Sequence, residues 1–236
     1  MTTKQKVGII ATAPDEIQYL HNQLKEVKET SIAGLTFYEG LLDDHDVILG
    51  LCRLGKVNAA ICAQILIDTF KVNCLINTGV AGAIDPRIQI GDIVISTDAV
   101  QHDFDVTTFN YEPGELGHTH MRFFKADDGL RKKAVEAAKE VEPCVQVYEG
   151  RICTGDQFIS EKNKKDDLVS TYGGLCCEME GAAIGHVSMV NHIPFVIIRV
   201  MSDTADSTEN EDFDAFVEQC GECSAKITQH LISLLD

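Results

Sequence analysis

Long apolar runs are missing from this chain. No stretch of its 236 residues comes near the ~18 consecutive apolar residues that a membrane span needs, so no membrane partner is expected. Cations are scarce too: 20 Lys and Arg stand against 37 Asp and Glu, a formal net charge of −17 at pH 7. A nucleic-acid binder needs a basic footprint, so nucleic acid is excluded as a partner. The first residues, "MTTKQKVGIIATAPDEIQYL", turn acidic before any signal-like apolar region develops, and a cytoplasmic protein is expected. Linkers, low-complexity tracts and internal repeats are also absent, which points to a single domain over 1–236. The nine cysteines are odd in number and lie mostly in apolar runs, as small buried hydrophobes of a reducing compartment do. The pair in "CGEC" (Cys220, Cys223) has redox or metal spacing, but no second pair stands at zinc-site spacing. The pair reads as two reduced thiols on a helix. His118 and His120 in "HTH" have no third ligand placed by spacing. Neither a metal nor a cofactor is expected.

What is present is an alternation of strand-like and helix-like segments. Compact β-rich runs occur at 6–12, 72–79, 91–96, 145–155, 175–179 and 194–203, with a two-strand stretch over 35–52 that turns at "LDDHD". Helical spacing covers 14–27, 55–70, 127–141, 161–172, 180–192 and 212–235, the first with a proline near its start. The pattern predicts an α/β fold with a central sheet, at least partly parallel, flanked by helices. Between 101 and 124 the periodicity fails. That segment is rich in aromatic residues and carries His102, His118 and His120, and a long aromatic loop inside a compact domain is often functional.

In open α/β sheets ligands bind beyond the carboxyl ends of the strands. Acids recur there: Glu16 in "APDE", Glu178 and Glu180 in "CEME", Asp203 in "VMSD". Basic residues are few at those ends, Arg199 being the exception. If "CEME" is still extended, Glu178 and Glu180 face one side and Met179 the other. Any one of these acids could equally cap a helix; the set together fits capping less well. Several carboxylates with few cations suit a neutral polyol. A carboxylate can accept two hydrogen bonds from a vicinal diol, and negative charge stabilises the oxocarbenium-like transition state of glycosidic cleavage.

The motifs "VGIIATAPDEI", "NTGVAGA", "GDIVIS…HDFDVTTF", "GDQFI", "CEMEGAAIGHV" and "VIIRVMSDTAD" run in order from about residue 6 to 216. Together they resemble the 5′-methylthioadenosine/S-adenosylhomocysteine nucleosidases of the purine nucleoside phosphorylase-like family. The resemblance implies one α/β domain around a mixed, twisted, barrel-like central sheet. It implies a homodimer and cofactor-free hydrolysis of the N-glycosidic bond of an adenine 5′-thioribose nucleoside. Glu16 matches the glutamate that orients and deprotonates the attacking water. Asp203 matches the acid that protonates adenine N7, and it would need to keep its proton in an apolar cavity beside other carboxylates. Glu180 matches the glutamate holding the ribose hydroxyls, with Glu178 beside it and Met179 under the sugar. Phe158 matches the aromatic stacked on adenine, and Ile159 the backbone partner of the base. Gly82 falls near the sugar, Arg199 near the water, and Phe213 on the pocket wall. Val106 and Phe109 match residues reaching the 5′-alkylthio pocket of the neighbouring subunit.

The chain departs from the pattern at Val80 and Ala83, where many relatives carry "TGSAGG". The lost hydroxyl implies weaker water placement or altered preference. A phosphate-dependent purine nucleoside phosphorylase on the same fold is the nearest alternative. Phosphate needs cationic or amide-rich capture, and "ATAPDEI" offers two acids and no arginine. An aminodeoxyfutalosine nucleosidase and a non-catalytic nucleoside-binding domain are the other readings.

Overall fold

The structure is a computed structural model that describes residues 5–12, 14–206 and 211–235, without the side chains of 15 and 211–215. Phe213 therefore lies outside the described side chains. The elements run in chain order β1 (Lys6–Ala11), α1 (Pro14–Gln23), β2 (Lys25–Ile32), β3 (Leu35–Leu42), β4 (His45–Leu51) and α2 (Lys56–Asp68), then β5 (Cys74–Ala83) and β6 (Ile93–Gln101). After a long irregular segment come β7 (Phe124–Lys125), α3 (Asp128–Val141), β8 (Val147–Thr154), α4 (Lys162–Tyr172), β9 (Gly174–Glu178), α5 (Gly181–Asn191), β10 (Phe195–Asp203) and α6 (Glu211–Ser233).

Among the described residues ten strands form one mixed sheet, in the order β10-β6-β8-β9-β5-β1-β4-β3-β2, with β7 added on β6. β10 also pairs with β5. That second pairing closes β5, β10, β6, β8 and β9 into a barrel, with β1, β4, β3 and β2 as an extension from β5. β1–β4, β1–β5, β5–β10, β6–β8 and β8–β9 are parallel, whereas β6–β10 and β5–β9 are antiparallel. The apolar run "FVIIRVMSD" explains the place of β10. Every one of its residues is buried, as a strand covered on both faces requires.

Helices cover the sheet on both sides. Buried residues of α1, α3 and α6, such as Leu20, Ala134 and Leu231, share a core with Ile9, Ile76 and Ile198. Those of α2 and α5, such as Cys62 and Ile184, pack with Ile10, Leu75 and Ile197. Asp127 caps α3, its carboxylate accepting from the amides of Gly129 and Leu130 at 2.9 Å each. Seven of the cysteines are buried free thiols, with Cys144 exposed and Cys223 half-buried. Cys220 and Cys223 lie on α6, as the sequence predicts. None of the helices, among the described residues, is long and apolar enough to cross a membrane.

Three elements differ from the sequence reading. The first helix stops at Gln23, and Lys25–Ile32 is an exposed strand at the sheet edge, paired antiparallel with β3. "TGVAGA" is not a turn: β5 continues through it to Ala83, where Gly82 and Ala83 pair with Cys177 and Cys176. β6 likewise runs on to Gln101. The 101–124 segment is otherwise irregular, with a single 3₁₀ turn at Thr107–Phe109 and Phe109 73% exposed.

Candidate active site

The carboxyl ends of β1, β5, β8, β9 and β10 open on one cavity of about 770 Å³, mouth included. Glu16, Gly82, Phe158, Ile159, Glu178, Met179, Glu180, Arg199 and Asp203 all line it. The acids that the sequence scatters over nearly 190 positions thus share one hollow. Val106 and Phe109 do not line it; they sit on the irregular segment at the protein surface. Thr12, Leu54, Val80, Ala81, Gln157, Cys177 and Val217 complete the wall. Of these seven the sequence reading singles out only Val80, as the place of a lost hydroxyl; the side chains of the other six carry no chemistry that spacing alone would single out.

Glu16 enters from the first turn of α1. Its Oε2 accepts from the Thr12 amide at 2.8 Å and its Oε1 from the Val80 amide at 3.3 Å. This approach depends on Gly79: a Cβ there would lie 2.7 Å from Glu16 Oε1, at a backbone φ of +150°. Asp203 ends β10 just past a register shift that sets it opposite Gly82. A Cβ on Gly82 would stand 3.0 Å from Asp203 Oδ1. The glycines of "TGVAGA" are there because two carboxylates come close to the backbone of β5.

Glu178 and Glu180 do not project side by side. The strand ends at Glu178, and the chain bends through Met179 and Glu180 into α5. Glu178 is fully engaged. Its Oε2 accepts from Arg199 Nη2 at 2.6 Å and from the amides of Glu180 and Gly181 at 3.0 and 2.7 Å, and Thr154 Oγ1 donates to its Oε1. Arg199, 1% exposed, also donates to Asn77 Oδ1 at 2.6 Å. Burial disfavours the Arg199 charge, but Glu178 and Glu180 outweigh it and hold the proton more firmly than usual. Glu180 has one acceptor contact, from the Gly55 amide at 2.8 Å. Burial, then the charge of Glu178, pushes the Glu180 carboxyl up to about 7.

A second cation stands just behind the cavity wall. Lys165 extends from α4, a helix that the sequence presents as polar. Its ammonium is 1% exposed and lies 3.9 Å from Asp203 Oδ1, donating to the Thr204 carbonyl at 2.8 Å. Asp203 thus has a cation as well as carboxylates for neighbours.

A family model described as the phosphorylase superfamily matches residues 6–233. The 5′-methylthioadenosine/S-adenosylhomocysteine nucleosidase of Bacillus pumilus is 39% identical over 96% of this chain and 98% of its own. The chain belongs to this nucleosidase family. A solved family member, the enzyme of Neisseria meningitidis in complex with methylthio-immucillin-A, superposes with a TM-score of 0.94 at 34% identity, over 98% of this chain and all of that one. The futalosine hydrolase of Helicobacter pylori shares the architecture as well, with a TM-score of 0.92 at 31% identity over 98% of each chain. Membership accounts for the shape of the sheet: the closed mixed barrel with a lateral extension is the family's nucleoside phosphorylase-like fold.

Proposed function

We propose that the protein hydrolyses the N-glycosidic bond of 5′-methylthioadenosine and S-adenosylhomocysteine, releasing adenine and the 5′-thioribose product. The observation that carries this reading is the convergence of Glu16, Glu180 and Asp203 on one cavity beside Phe158. Arg199 is the one cation that lines the cavity among the described residues, and it is tied to Glu178.

In this reading adenine lies against Phe158, the Ile159 backbone bonds its edge, and Asp203 faces N7. The ribose hydroxyls meet Glu180, with Met179 beneath the ring and Gly82 beside it. As the C1′–N9 bond breaks, its electron pair moves onto the purine and the Asp203 proton goes to N7, so adenine departs neutral. Positive charge grows on the sugar, which the surrounding carboxylates stabilise. Water, held by Glu16 near Arg199, bonds to C1′ and gives its proton to Glu16. The two acids then return to their starting states by exchange with solvent.

Hydrolysis rather than phosphorolysis follows from charge. A phosphate at the water position would meet Glu16, and the nearest guanidinium is already paired with Glu178. Adenine release is expected to proceed at the same rate in phosphate-free buffer as with millimolar phosphate, with the free thio-sugar as co-product. Release that depends on phosphate and yields a sugar 1-phosphate would replace this reading with the phosphorylase one. Tight binding of the nucleoside without adenine release would leave only a binding domain.

The raised Glu180 carboxyl gives a signed pH effect. Below about pH 7 in the empty site Glu180 is protonated and loses its strength as a diol acceptor. Affinity for a non-hydrolysable adenine ribonucleoside is expected to be about tenfold weaker at pH 6 than at pH 8, because roughly a tenth of the sites are then competent. The matching 2′,3′-dideoxy ligand should show little change. Calorimetric titration across that range tests it, and a flat profile for the ribonucleoside would remove Glu180 from the sugar.

The protein is further proposed to be a homodimer. Leu54, just before α2, and Val57 and Ile61 in its first turns are 65%, 70% and 39% exposed, and Leu54 is also at the cavity wall. A second copy covering this stripe would bring its own Val106 and Phe109 to the 5′ end of the substrate. Light scattering is expected to give twice the chain mass at micromolar concentration; a monomer there contradicts the shared pocket.

A further inference from the structure

We infer that Lys165 is a positioning residue for the acid step: its ammonium stabilises the carboxylate that Asp203 becomes once the purine has taken the proton. The inference rests on the reading of Asp203 as the acid.

The geometry is specific. Lys165 belongs to the second turn of α4, yet its side chain is 1% exposed in a helix whose other lysines face solvent. An ammonium is removed from water only at considerable cost unless it is paired and hydrogen-bonded. Here it has both kinds of partner: the Thr204 carbonyl at 2.8 Å and Asp203 Oδ1 at 3.9 Å. The first bond fixes the backbone just past Asp203, and the second sets a positive charge beside the carboxyl. Lys165 is not among the residues lining the cavity, so its action on a bound purine runs through Asp203.

The other charged and titratable groups around Asp203 do not supply this. From β9, Cys177 is held neutral, its thiol pushed up to about 12 by burial and then by the charge of Asp203. Glu178, also on β9, is neutralised by Arg199 of β10 at 2.6 Å. Glu180 at the start of α5 and Glu16 on α1 are carboxylates, which oppose a negative Asp203. Lys162 of α4 pairs at the surface with Asp206 at 3.2 Å. Lys165, 3.9 Å from Asp203 Oδ1, is the cation among these groups that favours the ionised form of Asp203.

The consequence has two parts of opposite sign. A cation beside an acid makes it a stronger donor, which lowers the barrier to N7 protonation. The same cation makes the acid lose its proton at lower pH, which brings down the high-pH limb of the activity profile. Removing the charge therefore slows the plateau and extends the limb.

The test is the pH profile of adenine release by Lys165→Gln, which keeps a donor for the Thr204 carbonyl, and by Lys165→Arg, which keeps the charge. In the glutamine variant plateau kcat is expected to fall about threefold, KM to stay within about twofold, and the high-pH limb to rise by about one pH unit. The arginine variant should keep the wild-type limb. Lys165→Met reads the same limb should the glutamine variant not fold. A limb that stays in place in the charge-free variant, or moves equally in the arginine variant, overturns the inference and leaves the function standing. A wild-type protein that releases no adenine overturns the function and takes this inference with it.

Discussion

Asp203→Asn is expected to lower adenine release by at least two to four orders of magnitude while nucleoside affinity stays within a few fold. Adenine is a poor leaving group as an anion, and general acid help is worth roughly 10²–10⁴, or about 3–5 kcal/mol of barrier. Asparagine keeps the shape of the side chain and a hydrogen bond to the purine edge, but has no proton of suitable acidity to give. Its volume also spares the tight passage by Gly82, where a Cβ would have only 3.0 Å to Asp203 Oδ1. Single-turnover adenine release and calorimetric binding on the same preparation separate these effects. Turnover within tenfold of wild type would remove Asp203 as the acid.

Glu16→Gln should be nearly as damaging, for a different reason. Both oxygens of Glu16 face amide donors, Thr12 at 2.8 Å and Val80 at 3.3 Å. A glutamine must turn its NH₂ toward one of them, so the substitution removes the base and sets donor against donor. The second effect costs about 1–3 kcal/mol as an unsatisfied buried donor. The expected outcome is a kcat lower by at least two orders of magnitude with a modest drop in melting temperature. Hydrolysis within tenfold of wild type would show that water is activated elsewhere.

Much of this site is legible in the sequence because its chemistry sits at strand ends. Glu16, Glu178, Glu180 and Asp203 follow apolar runs whose burial is dictated by composition. Other parts leave no local trace. The first three residues of β2 read as the end of the first helix and the rest as no element, because "KEVKETSI" is rich in Lys and Glu and mostly exposed, so no apolar alternation marks it; pairing with β3 decides its form. Lys165 reads as a solvated residue of a polar helix, and only the packing of α4 against β8 and β9 makes it a buried neighbour of Asp203. Glu178 and Glu180 look equivalent two positions apart, yet one closes an ion pair and the other faces the cavity.

The sequence by itself determined the alternation of strands and helices, the positions of the acids after the strands, and the family to which the ordered motifs belong. The tertiary structure decided how each carboxylate is held. Glu180 is bonded by an amide 125 residues away, and Arg199 links to Asn77 across 122 residues and to Glu178 across 21. Burial and charge pairing act through space, and closure of the barrel by β10 against both β5 and β6 is what brings those distant groups within a few ångströms.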